Sequence, residues 1–188
     1  VRLPYMWSTL LFEADRIADG SPHLYILCIP EWPEHDRQTL VFAEQGVTYV
    51  LGSDYLGELK KGFLRMAMWE AKQRGMLGLH AASKIVKARG PDGKLRKYAM
   101  LLFGLSATGK TTLTCHHHFL DREKGEGIEI VQDDVVFLKK DGSSLGTEQG
   151  FFLKTDIDPE NHPLIYRAAT KRDAVFENVM VDYRGRVD

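Results

Sequence analysis

The sequence predicts an α/β fold built on a mixed β-sheet, with a phosphate-binding loop and flanking helices. An apolar strand leads directly into a glycine-rich loop and then a helix. Two pairs of apolar runs are separated by turn residues typical of β-hairpins. Predicted strands outnumber predicted helices, which favours a mixed sheet over an all-parallel one. The 188 residues, 44% hydrophobic and 27% charged, exclude disorder as the main interpretation.

The first third of the chain predicts one hairpin and one long helix. Residues 1–35 hold four prolines and are expected to be irregular, apart from an apolar run over 24–29 that predicts a buried strand. Thr39–Phe42 and Val47–Leu51 flank a four-residue loop that ends in glycine, so they predict a hairpin. Apolar residues at helical spacing then predict a helix over Gly57–Arg74.

The middle of the chain predicts a second hairpin. Leu77–His80 is expected to be a short strand. Lys84–Arg89 and Leu95–Phe103 flank Gly90-Pro91-Asp92-Gly93, a strong turn signal. The return strand is almost wholly apolar, which predicts a place in the middle of a sheet. A helix is expected from Lys110 towards Leu120.

The remaining elements are shorter. A charged, glycine-containing stretch over residues 121–127 predicts an exposed loop. Strands are predicted over residues 128–132, 135–138, 151–154 and 174–181. A helix is predicted over residues 158–170, because Asp158-Pro159 is a helix-start signal.

A phosphate-binding loop is the strongest single motif. Every fixed position of G-x-x-x-x-G-K-[ST] is met by Gly104, Leu105, Ser106, Ala107, Thr108, Gly109, Lys110 and Thr111, with Thr112 following. The glycines let backbone amides approach phosphate oxygens closely. Lys110 offers a positive charge to the β- and γ-phosphates, and Thr111 offers a hydroxyl to Mg²⁺.

A pair of carboxylates follows the next strand. Asp133 and Asp134 come directly after Ile-Glu-Ile-Val-Gln. A carboxylate at a strand end downstream of a phosphate loop commonly completes the coordination of nucleotide-bound Mg²⁺. Without the loop, a solvated turn would be the better explanation of the pair.

Several stretches together resemble the ATP-dependent phosphoenolpyruvate carboxykinase family, from about residue 40 to the end. They are Tyr55-Leu56-Gly57-Glu58-Leu59-Lys60-Lys61-Gly62, residues 79–82, residues 103–113, Asp133-Asp134, residues 148–150 with Lys154, and residues 172–179. Many ATPases share the loop. The segment 55–62 followed by His80 is much more specific.

The resemblance implies a fold, a reaction and a set of site residues. The implied fold is a carboxykinase-like nucleotide-binding domain over residues 39–188, with 1–38 the remnant of an N-terminal lobe. The implied reaction, a step of gluconeogenesis, converts oxaloacetate and ATP to phosphoenolpyruvate, CO₂ and ADP, with Mg²⁺ and Mn²⁺. The resemblance implies that Lys61 and His80 ligate Mn²⁺ and that Asp134 is the carboxylate near both metals. It implies that Lys110 and Thr111 bind phosphate and Mg²⁺. It also implies that Lys154 contacts the transferring phosphoryl group and that Tyr55 contacts the substrate.

The chemistry of these residues agrees with that reaction. A lysine ligates a metal only as a neutral amine, and Lys60 beside Lys61 would favour loss of the proton. His80 binds a metal as neutral imidazole. Positive charge near the enolate oxygen stabilises the product of decarboxylation. Without the resemblance, Lys60-Lys61 would more often be a solvated helix face, and His80 a core histidine.

Departures from the family pattern leave two other functions open. Ala107 stands at a glycine-type position and Leu164 where a carboxylate is expected. Val135-Val136 replaces a Glu-His pair, and Glu148-Gln149-Gly150-Phe151 replaces Glu-Gly-Gly-Cys. A diverged small-molecule or protein kinase on the same core, or a non-catalytic ATP-binding module, are the alternatives. The resemblance also implies that the lobes supplying a substrate arginine and an adenine pocket are largely missing, so we expect little turnover from this chain alone.

Composition limits the partners and the compartment. The net charge of −1 gives no reason to expect nucleic-acid or membrane binding. Two cysteines are too few for a disulfide framework, and no signal segment is visible, which favours a cytoplasmic protein. His116-His117-His118 is expected to be structural or solvated, because consecutive helical residues point about 100° apart and cannot all face one ion.

Overall fold

The computed structural model describes residues 2–14, 20, 23–104 and 108–187, which form two compact units, residues 1–152 and 153–188. In chain order the elements are α1 Arg2–Ser8, β1 Tyr25–Ile29, β2 Gln38–Phe42, β3 Val47–Leu51, α2 Leu56–Gln73, β4 Leu77–Arg89, β5 Leu95–Phe103, α3 Lys110–Cys115, β6 Gly127–Gln132, β7 Val135–Leu138, β8 Ser144–Gly146 and α4 Pro163–Ala169. None of the helices described is long and apolar enough to cross a membrane. The domain boundary expected between residues 38 and 39 stays a prediction.

Two sheets make up the first unit. The smaller has the strand order β1-β3-β2, with β1 parallel and β2 antiparallel to β3. The larger has the order β5-β4-β7-β8, with β6 also paired to β4, and every pairing in it is antiparallel. The combination of one parallel pair with antiparallel pairs confirms the predicted mixed α/β class.

Helix α2 packs against both sheets and carries the two consecutive lysines. Its buried apolar side chains follow helical spacing, as at Leu56, Leu59 and Leu64. Gly62 allows the helix to approach β3 closely, because a Cβ at that position would lie 2.7 Å from Thr48 Cγ2. The helix was predicted within one residue at each end, and Gly75 follows it with a φ of 73°.

Strand β4 is the backbone of the larger sheet. The sequence suggested two strands, over 77–80 and 84–89, but the structure has one strand of 13 residues. Its hairpin with β5 is confirmed. The expectation that β5 lies in mid-sheet is wrong: β5 is an edge strand, with Phe103 63% exposed. The reason is that β6 and β7 occupy the other edge of β4, a pairing that apolar content alone does not reveal.

Two helices of the first unit differ from what the sequence predicted. Residues 2–8 form α1, although irregular structure was expected there. A proline is tolerated in the first turn of a helix, and Met6 packs with Leu10 and Leu56 in a small core. Helix α3 ends at Cys115 rather than near Leu120, since the next residue, His116, is extended with φ −75° and ψ 133°. Strand β1 is present but alternates between exposed and half-buried residues instead of being buried.

The later part of the chain is less regular than expected. Residues 151–154 and 174–181 are not strands, and in the second unit only an isolated bridge between Val181 and Val187 is described. Helix α4 begins at Pro163 rather than at Asp158. The Asp158 carboxylate accepts hydrogen bonds from the backbone amides of residues 160 and 161, which makes a turn before the helix.

Candidate active site

Strand register brings the first candidate residues together. The pair Asp133-Asp134 forms the turn between β6 and β7. His80 of β4 lies opposite Val135, the first residue of β7. Because α2 packs on β4 and β7, its first turns face the same turn. Elements α2 and β4, which are both distant in sequence from the β6–β7 turn, therefore meet it at Asp134.

Asp134 is the centre of a cluster of cationic and imidazole groups. Lys61 Nζ donates hydrogen bonds to both carboxylate oxygens of Asp134, each at 2.7 Å. His80 Nε2 lies 3.0 Å from Asp134 Oδ1. The structure thus brings Lys61, His80 and Asp134 together as expected, and their role as metal ligands stays a prediction.

A buried ion pair underlies this cluster, and sequence reasoning missed it. Lys60 Nζ lies 3.0 Å from Asp134 Oδ2 and 3.0 Å from Glu148 Oε2. The Lys60 side chain is 2% exposed and that of Glu148 is fully buried. Lys60 also lies 5.5 Å from the centre of the Phe152 ring. A charge buried this deeply requires a partner, so Lys60 and Glu148 depend on each other.

The protonation of the two carboxylates differs. Burial raises the pKa of Glu148, and Lys60 only partly opposes it. Burial also acts to raise the pKa of Asp134, but Lys60 and Lys61 together outweigh it and leave that pKa below its ordinary value. Asp134 is therefore a carboxylate at neutral pH, the form that ligates a cation.

The backbone at this turn is strained and is held by one buried amide. Asp134 has a φ of 118°, a conformation that costs a non-glycine residue about 1–3 kcal/mol. The Gln132 side chain donates to the Asp133 carbonyl at 3.1 Å, and its oxygen accepts from the amides of Thr147 and Glu148, each at 3.0 Å. Gln132 thereby ties the segment that carries Glu148 to the strand end that carries Asp133.

The phosphate-loop residues lie beside this cluster. Gly109 precedes α3 with a φ of 81°, which explains a glycine there. Lys110 Nζ is 3.0 Å from His80 Nε2. Thr111 Oγ1 donates to Asp133 Oδ2 at 2.8 Å. The predicted loop residues Leu105, Ser106 and Ala107 lie outside the described residues.

The surroundings of His80 and Asp133, beside the phosphate-loop residues, shift the pKa values of both side chains. Burial, followed by Lys110, lowers the pKa of His80 despite the opposing effect of Asp134, so the ring is neutral at neutral pH. Burial raises the pKa of Asp133, and the hydrogen bond from Thr111 opposes it. Within the described part of the chain, Asp133 Oδ1 is buried and accepts no hydrogen bond.

The donor set fits divalent cations. No group of three or more His, Cys, Asp and Glu side chains among the residues described is placed to hold a metal ion. The cluster at Asp134 offers instead an amine, an imidazole and a carboxylate, which are nitrogen and oxygen donors of the kinds that divalent first-row metals bind. Thr111 and the unpartnered oxygen of Asp133 offer the hard oxygens that Mg²⁺ prefers.

The other predicted residues are placed less closely. Tyr55 immediately precedes α2, and its ring lies 6.1 Å from that of Phe152. A side chain at Gly57 would overlap the Tyr55 ring, which explains the glycine there. Thr112 is exposed on α3. Lys154 is exposed and belongs to the second unit, so its relation to this cluster stays a prediction.

Comparison with known proteins agrees with the geometry. The sequence matches the phosphoenolpyruvate carboxykinase family over residues 13–188. The chain belongs to the phosphoenolpyruvate carboxykinase family. Proteins described as phosphoenolpyruvate carboxykinase (ATP) are among its relatives. That of Aeropyrum pernix is 44% identical over 170 residues, which cover 90% of this chain and 34% of the relative.

Two further relatives with the same description are more distant. That of Thermus thermophilus is 31% identical over 76% of this chain and 24% of its own length. That of Leptospira biflexa is 32% identical over 81% of this chain and 26% of its own length. The chain thus spans about a third or less of the carboxykinases it matches.

The structure accounts for one departure from the carboxykinase pattern. Val135 and Val136 stand where the resemblance leads one to expect Glu-His, and they are 3% and 0% exposed. They belong to the core under the site rather than to its surface. Apolar side chains at these two positions therefore add to the buried core, whereas a polar pair there would need hydrogen-bond partners.

The buried lysine has a recognisable signal in the sequence. Lys60 lies four residues after Leu56 and four before Leu64, so it occupies the apolar stripe of α2. Consecutive residues on a helix point about 100° apart, so Lys60 and Lys61 could not share one environment. A lysine in the apolar stripe indicates a buried partner, which here is Glu148.

Proposed function

We propose that this chain carries the ATP-binding and metal-binding part of an ATP-dependent phosphoenolpyruvate carboxykinase, which converts oxaloacetate and ATP to phosphoenolpyruvate, CO₂ and ADP. The observation that carries the proposal is the meeting of Lys61, His80 and Asp134 at one turn, with Lys110 3.0 Å from His80. An ATP-binding module of another kind needs only the loop. The additional amine, imidazole and carboxylate are what a second cation beside the phosphates requires.

The nucleotide half of the proposal assigns the loop to ATP. Residues 104–112 bind the β- and γ-phosphates, with Lys110 as the positive charge. Thr111 and Asp133, joined by a 2.8 Å hydrogen bond, hold Mg²⁺. The unpartnered oxygen of Asp133 supports this role, because a buried carboxylate oxygen without a donor favours a cation nearby.

The substrate half of the proposal assigns Mn²⁺ to Lys61, His80 and Asp134. When bound, the ion supplies positive charge that stabilises the enolate oxygen of the substrate. Tyr55 contacts the substrate, and Lys154 approaches the transferring phosphoryl group. Lys61 now donates to both oxygens of Asp134, so it must lose a proton and turn its nitrogen away from them in order to bind the cation.

Lys60 and Lys61 have different roles in the proposed site. The Lys61 side chain is 42% exposed and has room to turn, whereas Lys60 is buried between Asp134 and Glu148. Lys60 therefore keeps one oxygen of Asp134 paired while the other is offered to the cation. This division explains why two consecutive lysines have different tasks.

Binding of Mn²⁺ tests the proposal most directly. Electron paramagnetic resonance should show one Mn²⁺ site in the chain, and anomalous scattering should place the ion at Lys61, His80 and Asp134. Lys61→Met should weaken Mn²⁺ binding at least about tenfold. Lys72→Met, on the exposed end of the same helix, is the matched control and should leave binding unchanged. Mn²⁺ bound elsewhere, or equally well by both variants, would contradict the proposal.

A further inference from the structure

A second lysine is buried behind the phosphate-binding helix. Lys84 of β4 is 1% exposed. Across the part of the chain that the structure describes, Lys84 has no carboxylate partner. Its Nζ instead contacts the backbone carbonyls of Leu113, Thr114 and His116 and the Nε2 atom of His118, with Thr114 O at 3.3 Å and His116 O at 3.4 Å. All four contacts are with acceptors, which is what an amine with several hydrogens needs.

The contacted carbonyls belong to the end of α3. The last carbonyls of any helix lack partners within the helix, and a cationic side chain there is favourable. Helix α3 has only six residues, and its N-cap residue is Gly109, which has no side chain to cap the first turn. A helix this short is not stable without contacts from outside, so the contacts at its ends determine whether it forms.

The strand pairing aims Lys84 at this position. The register between β4 and β6 shifts between Ser83 and Lys84, where Ser83 pairs with Gln132 and Lys84 with Ile130. Such a bulge redirects a side chain relative to the regular sheet. Strand β6 ends directly before Asp133. The pair β4–β6 therefore positions both Lys84, which contacts the end of α3, and Asp133, which accepts a hydrogen bond from Thr111.

The histidine run completes the anchor. His118 has a φ of 55°, and its backbone amide donates to His116 Nδ1 at 2.9 Å, which turns the chain back towards Lys84. Burial, followed by Lys84, lowers the pKa of His118, so its ring is neutral and accepts a hydrogen bond. His117 instead lies beside the Arg122 guanidinium, so the three rings do not face one point.

We propose that Lys84, with His118 as its acceptor, is a positioning residue that fixes the C-terminal end of α3 and thereby holds Lys110 and Thr111 in place for phosphate binding. The proposal rests on the proposed function for its effect on ATP. Its structural part concerns the protein without ligand. Lys84 touches neither nucleotide nor metal, and it acts through the helix.

Amide hydrogen exchange and Mg²⁺·ATP titration on Lys84→Met test both parts. Methionine matches the volume of the lysine stem and leaves no unpaired charge behind. The hydrogen-bonded amides of residues 113–116 should exchange at least about tenfold faster, because each lost contact was a hydrogen bond to a charged group. Amides of the β4–β5 hairpin should stay within about twofold, since their ladder is intact. Mg²⁺·ATP should bind about tenfold more weakly.

Lys87→Met is the matched control, because Lys87 is an exposed lysine on the same strand. It should leave exchange and affinity unchanged. Equal acceleration throughout the hairpin and α3, or unchanged exchange in α3, would overturn the role of Lys84. Faster exchange in α3 with unchanged affinity would overturn the link to phosphate binding. If the wild-type chain binds no Mg²⁺·ATP, the proposed function fails, while the exchange result still decides whether Lys84 holds α3.

A pair of variants at His118 covers the case in which Lys84→Met does not fold. His118→Leu removes the acceptor, and His118→Gln retains one at similar reach. The leucine variant should accelerate exchange in α3 and weaken Mg²⁺·ATP binding, and the glutamine variant should restore both towards wild type. Identical behaviour of the two variants would contradict the assignment of His118 as the acceptor of Lys84.

Discussion

The two halves of the candidate site are built differently. The carboxylate side comprises Lys60, Lys61, His80, Asp134 and Glu148. It is carried by an 18-residue helix, by strand β4, by the turn between β6 and β7 and by the segment after β8. The phosphate side, which comprises Gly104 and residues 108–112, is carried by a helix of six residues with one buried side chain, Thr114. The carboxylate side is held by buried charges, and the phosphate side is held by hydrogen bonds at the ends of helix α3.

This difference predicts which property each substitution affects. On the carboxylate side three lysine and imidazole groups already contact Asp134, and part of the pairing is buried, so removal of a partner leaves an unpaired charge in the interior. On the phosphate side the functional groups are half-buried or exposed, so removal of one costs ligand binding and little folding free energy. Stability and binding should therefore respond separately.

The largest effect is expected at Lys60. Lys60→Met leaves Glu148 and Asp134 buried without their shared cation, which should lower the free energy of unfolding by about 3–5 kcal/mol. Lys61→Met, at a half-exposed position, should cost less than about 1 kcal/mol. Urea denaturation of the two variants measures both values. Equal losses would show that the buried pair is not the foundation of the carboxylate side.

The next effect is expected at Lys110 and concerns binding. Lys110→Ala should weaken Mg²⁺·ATP binding by about 1.5–3 kcal/mol, because one charge-assisted contact with phosphate is lost. Its free energy of unfolding should stay within about 0.5 kcal/mol of wild type. Calorimetric titration and urea denaturation provide the two numbers. A large loss of stability with unchanged affinity would reverse the comparison between the two sides.

A pH dependence follows from His80. The ring must be neutral to bind Mn²⁺, and its pKa lies below the usual 6.5, mainly through burial and Lys110. Release of the Lys61 proton on binding makes affinity fall with pH over the whole range, and protonation of the His80 ring should add a further decline of about tenfold per unit below about pH 6.5. Paramagnetic resonance titrations between pH 5 and 8 measure this decline. In Lys110→Ala this further decline should begin at higher pH, because one of the causes of the lowered His80 pKa is gone.

The smallest effect is expected at Gly109. Its φ of 81° is strained for any residue with a Cβ, so Gly109→Ala should lower the free energy of unfolding by about 1 kcal/mol. Among the residues that the structure describes, no atom lies within 4 Å of the added Cβ, so the expected cost is one of backbone conformation. Thermal unfolding measures it. A loss as large as that of Lys60→Met would show that the phosphate side supports the fold as well.

Local signals were enough for the parts of the fold that depend on neighbouring residues. Both hairpins were predicted, because glycine in a turn indicates a positive φ. Gly46 and Gly93 do have φ values of 67° and 73°. Helix α2 was predicted, because an apolar stripe at helical spacing needs no distant partner to be recognised. The edge position of β5 and the early end of α3 were not predicted, because each depends on residues far away in sequence.

The sequence by itself determined the fold class, the family and the identity of the candidate groups. Lys61, His80, Lys110 and Asp134 could be named because motif spacing and a family resemblance mark them. Only the tertiary structure decided which groups support them. The pairing of Lys60 with Glu148, the bridge from Gln132 to the amides of Thr147 and Glu148, and the anchoring of α3 by Lys84 each join separate elements of the chain. The physical reason is that a buried charge or amide is satisfied by whichever partner the packing of sheets and helices delivers, and that choice leaves no local pattern.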